Sequence, residues 1–297
     1  MEWVLMPFLV FALPFGAVFG SVYLWLKRSK ATRKRTPLTR DLLRAPGQSV
    51  EAKLEDMRLD MDGYLLGAFF APSLLFSLYL SYGFYNHKSM PAFSVLIYFL
   101  LGCGVIAYCV VQILRLARTA LNYRLGLEAE MAVGQELNQL LRHGYWVFHD
   151  LPAEKFNIDH VVVGPNGVFA VETKGRAKPD QKTDNSWKVR YDGKRLEFPG
   201  WTETKPLEQA ERQAKWLQEW LSSAVGEPVG VRPVLALPGW FIERTSREGM
   251  PVLNGKNPEK VLSSLRQTPL PDKLIQQIVH QLDQRCRNVA AKAYAQT

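Results

Sequence analysis

Long uncharged apolar runs dominate the first 126 residues. Residues 4–26, 64–85 and 91–114 contain no Asp, Glu, Lys or Arg. A helix that crosses the hydrocarbon of a bilayer needs about 20 such positions, so the pattern predicts three membrane-spanning helices. Buried helices of a soluble protein rarely need three runs this long without a charge. Tyr23, Trp25, Tyr64 and Tyr85 stand near the run ends, as interfacial anchors do. Gly16/Gly20 and Gly63/Gly67 have the GxxxG spacing of packed helices, and Pro7, Pro14 and Pro72 are expected to kink them. With no ionisable group inside a span, the runs read as an anchor rather than an ion path or proton relay. Between the first two runs, residues 36–62 are expected to form a loop that contains one helical face, Val50, Leu54, Met57 and Met61. That face suits the membrane surface or a soluble domain equally.

Beyond residue 126 the pattern shortens and alternates. Residues 127–142 read as an amphipathic helix. On a wheel of about 100° per residue, Val133, Leu137, Leu140 and Leu141 fall within about 80° of Glu130, so this carboxylate sits on the apolar stripe. Glu128 points away, and Glu136 lies at the edge. A carboxylate on a core-facing stripe is costly unless something pairs with it. Residues 145–151 form a short strand, and 158–163, GPNG and 168–174 a β-hairpin. Residues 187–198 form a second hairpin turning at Asp192 and Gly193. Residues 205–223 read as a helix with Leu207, Ala210, Ala214, Leu217 and Leu221 as its stripe. A buried strand follows at 229–239, and a last helix at 272–293 carries Leu274, Ile275, Ile278, Leu282, Cys286 and Val289 on one face. Helices mixed with strands of this kind predict an α/β domain.

Average composition hides this division. The chain has 297 residues, 47% hydrophobic, and a formal charge of +9. That charge suggests a nucleic-acid binder when taken whole. By segment it is +3 over residues 1–63, +4 over 64–126 and only +2 over 127–297. Most of the excess therefore flanks the apolar runs, where it sets topology. Lys27, Arg28, Lys30, Arg33, Lys34 and Arg35 follow the first run and only Glu2 precedes it. Arg115, Arg118 and Arg124 follow the third, and the short loop 86–90 carries only Lys88. By the positive-inside rule the N-terminus lies outside and residues 127–297 in the cytoplasm; a bacterial inner membrane is the expected location. A cleaved signal peptide would carry its basic residues before the first run, not after it. Cys103, Cys109 and Cys286 have no CxxC or Cys/His spacing, which argues against zinc and against a disulfide framework.

The candidate chemistry lies on the first hairpin. A two-residue turn at Pro165 and Asn166 pairs Gly164 with Gly167 and places Asp159 directly opposite Glu172. Opposed residues share a face, about 4.5–5.5 Å apart at Cβ, and period two adds Lys174 to that face. Two opposed carboxylates repel unless they share a divalent cation, which prefers oxygen ligands. The carbonyl of Thr173 is a possible third ligand, and Lys174 is placed to orient a water or stabilise charge on a phosphate. The tripeptide acid-x-Lys is not specific, since it also starts at Glu51, Asp180, Asp192 and Glu203. Only the copy at Glu172 ends an apolar strand with an acid across from it. Gln209, near the start of the 205–223 helix, adjoins its stripe where a helix end suits phosphate.

These residues resemble the nuclease-related domain family, a branch of the PD-(D/E)XK restriction-endonuclease-like fold. The helix AEMAVGQELNQL, the stretch FNIDHVVVGPNGVFAVETK and the segment PLEQ carry the resemblance, over residues 126 to 240. It implies a mixed sheet flanked by helices, preceded here by the three-helix anchor. It implies that Asp159 and Glu172 hold Mg²⁺ or Mn²⁺, that Lys174 positions the attacking water, that Glu130 binds a second metal or the water's hydration shell, and that Gln209 steadies the phosphate. Lys205 and Pro206 stand where the family often has Asn-Pro. The expected organisation is an anchor at 1–126, a nuclease-like domain at 127–240 and a helical extension at 241–297. The expected activity is metal-dependent hydrolysis of nucleic acid, DNA first, at the membrane. The alternative is a tethered module that binds nucleic acid or protein without cleaving.

Overall fold

The computed structural model describes residues 16–25, 27–28, 38–85, 91–179, 186–265 and 269–290. The remainder of the first expected span, Lys30 to Arg35 and the loop with Lys88 lie outside them. The chain divides into two compact units. The first contains Glu55–Ala120, and the second joins Leu38–Leu54 to Leu121–Ala291.

In the first unit, α1 is the short apolar helix Gly16–Trp25. α2 (Gln48–Tyr85) and α3 (Ala92–Asn138) supply the unit's other helical residues. Among the described residues, two helices are long and apolar enough to cross a membrane, Gln48–Phe84 and Ala92–His143. They run antiparallel: Tyr64 meets Tyr108 with ring centroids 6.2 Å apart, and Tyr79 meets Tyr98 at 6.0 Å. Gly67 of the GxxxG pair faces Cys109, whose Sγ would lie 3.7 Å from a Cβ added there. Phe69, Phe93 and Phe99 point away from protein, 68%, 71% and 65% exposed.

Two sequence-based boundaries differ from the structure. The expected loop at 36–62 is helical from Gln48, and that helix continues unbroken through Pro72. The third apolar run and the amphipathic stretch after it are one helix, α3. Gly126 is the only weak former at that junction, and a single helical glycine costs about 1 kcal/mol, too little to stop a long helix. α3 ends at Asn138, and a 3-10 turn spans Gln139–His143. The tighter turn rotates each residue by about 120° instead of 100°. Leu141, expected on the apolar face, is consequently 52% exposed while Leu140 is buried.

The second unit is built on a five-stranded mixed sheet. Its strands are β2 (Trp146–Pro152), β3 (Asn157–Gly164), β4 (Gly167–Thr173), β8 (Val231–Ala236) and β10 (Val252–Leu253). They lie in the order β10-β8-β4-β3-β2. β2, β3 and β4 are antiparallel neighbours, and β8 is parallel to both β4 and β10. A second, four-stranded sheet has the order β7-β6-β5-β9. Its strands are β5 (Lys188–Tyr191), β6 (Leu196–Phe198), β7 (Trp201–Glu203) and β9 (Phe241–Arg244). Central-strand residues such as Val161, Val162, Val168, Phe169 and Val171 are fully buried because helices cover both faces. On one face, α4 (Lys205–Val225) and α6 (Asp272–Cys286) supply Ala214, Leu217, Leu221, Ile278 and Leu282. On the other, α3 supplies Val133 and Leu137, and α5 (Pro258–Ser264) supplies Leu262. The smaller sheet packs Val189, Tyr191 and Leu196 against Leu207 and Ala210 of α4. This is the mixed α/β architecture expected.

The last expected helix is shorter than its pattern. It stops at Cys286, and Arg287–Val289 form β11, antiparallel to β1 (Leu42–Leu43). Arg287 holds Asp283 through its Nη2 at 2.8 Å, and the Arg44 amide donates to the Cys286 carbonyl at 3.0 Å. Backbone pairing of Arg287 with Leu43 and of Val289 with Leu42, far earlier in the chain, thus ends the helix and leaves Val289 outside it.

Candidate functional site

The hairpin register is the one that the turn dictates. Gly164 pairs with Gly167, Val163 with Val168, Val162 with Phe169 and His160 with Val171. Gly167 has φ +124°, a region open to glycine and closed to most side chains. The next pair along is Asp159 and Glu172. There the ladder gives way to a side chain: the Thr173 amide donates to Asp159 Oδ2 at 2.6 Å. On its other edge Glu172 lies beside Leu235 of β8, so it is held in the middle of the sheet.

Lys174 leaves β4 on the same side as Glu172, and its ammonium pairs with Glu172 Oε1. The other oxygen, Oε2, is buried without a hydrogen-bond partner. Gly175 lets the chain pass close to α3; a Cβ there would lie 2.7 Å from the Leu125 carbonyl oxygen and 3.0 Å from the Ala129 Cβ. This approach brings the end of β4 to the turn of α3 that bears Glu130. Glu130 is 9% exposed. Burial, then Asp150 and Glu172, push its carboxyl up to about 7, against the pull of Lys174 and Lys53. Asp159 is raised well above the usual carboxylate range, first by burial, then by Glu172 and Glu130. Three acids on three elements therefore feel one another's charge.

These groups suit a divalent cation. All are hard oxygen donors, and Glu172 Oε2 is a buried acceptor with nothing to accept from, a costly state that a cation relieves. Among the described residues, no three His, Cys, Asp or Glu side chains already form a metal-binding cage. Any cation there would draw its remaining ligands from Asp159, Glu172, backbone and water. Gln209 sits half-buried early in α4, and among the described residues no hydrogen bond ties it to the acids.

Sequence reasoning missed three neighbours. Asp150 is 2% exposed and has φ +48°, unusual for a non-glycine residue. It accepts from Arg44 Nε at 2.8 Å, the Ser49 amide at 2.8 Å, Ser49 Oγ at 2.7 Å and Asn157 Nδ2 at 2.9 Å. Segment 44–49 is thereby bolted to β2, over Glu130: a Cβ on Gly47 would come 3.5 Å from Glu130 Oε2. Beside it His149 and His160 are directly paired, with their Nδ1 atoms 2.9 Å apart. One must donate and one accept, so the two rings cannot both be protonated. Burial holds His149 at about 4 and His160 well below its ordinary value. The third neighbour is Arg176, which grips Glu203 with Nε at 3.0 Å and Nη2 at 2.8 Å. The signal for Asp150 and His149 was present as two polar residues inside an otherwise apolar strand. Nothing local marked Arg44, Ser49 or Glu203 as their partners or neighbours.

No curated protein and no solved structure matches the chain. Residues 125–238 match the family described as the nuclease-related domain. These residues hold Glu130, Asp159, Glu172, Lys174 and Gln209, and residues 125–238 of the chain are a nuclease-related domain.

Proposed function

We propose that the protein is a membrane-anchored phosphodiesterase that hydrolyses nucleic acid with the help of Mg²⁺ or Mn²⁺. The observation that carries this reading is the juxtaposition of Asp159, Glu172 and Lys174 at one end of the β3–β4 hairpin, with Glu172 Oε2 buried and unpartnered. Asp159 and Glu172 would hold the cation. When bound, such an ion supplies positive charge for the phosphate and acidifies a water. Lys174 offers ammonium protons to a water or a phosphate oxygen beside Glu172. Glu130, with a carboxyl near 7, exchanges a proton readily at neutral pH, as a general base or acid should. Gln209 donates its amide to a phosphate oxygen. α2 and α3, with α1 ahead of them, anchor the domain to the bilayer. The basic residues flanking the apolar runs in the sequence support a cytoplasmic position for the nuclease-like unit, at a bacterial inner membrane.

The test uses the full chain in detergent micelles with Mg²⁺ and a panel of duplex DNA, single-stranded DNA and RNA. Wild type is expected to cleave; Asp159→Ala and Lys174→Ala are expected to lose turnover by 10²-fold or more, the scale of a lost transition-state contact. Cleavage of equal rate in all three proteins overturns the assignment.

A second reading has one observation in its favour. The soluble part carries a net charge of only +2 over residues 127–297, whereas duplex binders usually present a basic stripe. A tethered module that binds without cleaving gives saturable binding in calorimetry and no turnover with any cation.

A further inference from the structure

The chain that leaves β4 carries Lys174, Arg176 and Lys178 at every second position. Four residues span at most about 14 Å, roughly four nucleotides of a stacked strand at 3.4 Å each. Trp240 supports this strap from below. Its Nε1 donates to the Arg176 carbonyl at 3.1 Å, and the Lys178 ammonium lies 5.5 Å from its ring centroid. Arg176 is committed to Glu203 and to the Gly175 carbonyl, so it fixes the strap while the two lysines flank it. The next residue, Phe241, opens β9, and its amide donates to the Trp187 carbonyl at 3.1 Å. The Trp187 and Phe241 rings meet edge to face at 5.1 Å, yet they are 48% and 50% exposed. Lys188 Nζ stands 5.8 Å from the Trp187 centroid.

Exposed apolar residues are common singly. Two large rings, mutually braced, half in water and beginning at the residue after the tryptophan that supports Lys178, are a different arrangement. Proteins that hold unpaired nucleic acid combine aromatic faces for bases with cations for the backbone. A duplex offers such rings no free base face, and its affinity comes from a dense basic footprint, which a net charge of +2 over residues 127–297 does not provide.

We propose that Trp187 and Phe241 stack bases of a single-stranded nucleic acid whose phosphates pass Lys178 toward Lys174. The inference rests on the nuclease reading for its direction, since the strand leads to the acids. It assigns the substrate class as unpaired strand, or a duplex with an unpaired flank.

The experiment measures fluorescence anisotropy of a labelled twelve-nucleotide thymidine strand with the full chain in detergent, in EDTA so that no cleavage occurs. Wild type binds the single strand more tightly than a duplex of equal length. Trp187→Ala/Phe241→Ala weakens single-strand binding roughly tenfold or more, the effect of losing a stacked base, and Trp187→Phe/Phe241→Tyr restores it. Lys178→Ala lowers the salt slope of log K by about 0.7, one phosphate of a single strand. No binding by wild type, equal binding by the double alanine variant, or a preference for duplex each overturns the proposal. Binding that behaves as expected in a protein that never cleaves upholds the surface and refutes the nuclease reading instead.

Discussion

Replacing Arg44 with alanine tests whether the segment ahead of α2 is an integral part of the nuclease-like unit. Asp150 is 2% exposed and Arg44 17%. The guanidinium reaches Asp150 Oδ2 through Nε at 2.8 Å and Nη2 at 2.7 Å, and its Nη1 donates to Asn288 Oδ1 at 3.1 Å. Removing one partner of a buried ion pair costs about 3–5 kcal/mol, because the other charge stays buried and uncompensated. Ser49 and Asn157 continue to donate to Asp150, so the lower end, about 3 kcal/mol, is expected. For a unit of this size each kcal/mol moves the melting temperature by about 2–4 °C, giving a fall of about 6–12 °C. Tryptophan fluorescence of the detergent-solubilised chain is a suitable probe. Trp146, Trp187, Trp201, Trp216, Trp220 and Trp240 all lie in that unit, and only Trp3 and Trp25 do not. Asp150→Asn is the matching change, since asparagine tolerates the left-handed backbone at this position. The double variant should lose about 2 kcal/mol less than the two single losses together, as contacting residues do. A melt within 2 °C of wild type for Arg44→Ala, or strict additivity, refutes the reasoning.

Other consequences are testable in the same preparation. A fragment of residues 127–297 should melt below one that also contains 38–54, because the truncation removes both β1 and the donors to Asp150; equal melts would mean that these contacts contribute nothing. Stability in EDTA should contain a Glu130 contribution that falls as pH rises from about 4.5 to 7, against an opposite contribution from His149 and His160, whose folded values are lowered. Glu130 is raised to about 7 when folded from 4.5, so its contribution is full below the unfolded value and is lost as pH passes the folded one, on the order of 3 kcal/mol in all. Glu130→Gln should remove that contribution, so the stability difference between wild type and variant changes between urea titrations at pH 5 and 8; an equal difference at both assigns the effect elsewhere. Mg²⁺ or Mn²⁺ at 100 times its dissociation constant should stabilise the wild type by about 2.7 kcal/mol and leave Asp159→Ala unmoved, and a shift of equal size in both contradicts the metal assignment. Gly175→Ala should cost about 1–3 kcal/mol through overpacking, since the new Cβ would stand 2.7 Å from a backbone oxygen, and should cut turnover by moving Lys174; a silent variant disproves the tight approach of β4 to α3.

Local pattern decided much of this protein. Periodicity located β2, β3, β4, β5, β6 and β8, the amphipathic stretch with Glu130, and two apolar helices, and missed the short strands β1, β7, β9, β10 and β11. The turn at Pro165 and Asn166 determined the register, because a hairpin's pairing follows from its loop and period two. That alone placed Asp159, Glu172 and Lys174 together. A helical wheel likewise put Glu130 on the core side, since its orientation depends on nothing beyond its own turn of helix.

Tertiary structure decided what sequence spacing cannot express. Pattern reasoning broke helices at residues 63 and 126, where composition changes; the backbone does not break there, because hydrogen bonding within a helix is indifferent to whether its outer face meets lipid or protein. It also carried the last helix past Cys286, where pairing with Leu42 and Leu43 ends it. The Arg44–Asp150 pair joins residues 106 positions apart, the His149–His160 pair is set by register across two strands, and Glu203 reaches Arg176 from another sheet. Such contacts carry no local signature, since any Arg, His or Glu can serve once the fold brings it near. Sequence by itself determined which residues share a strand, a turn or a helix face. Only the folded chain determined which of those faces meet, and with that how strongly Glu130 and Asp159 are pushed toward their neutral forms, because burial and the charges nearby are properties of the assembled sheet and helices.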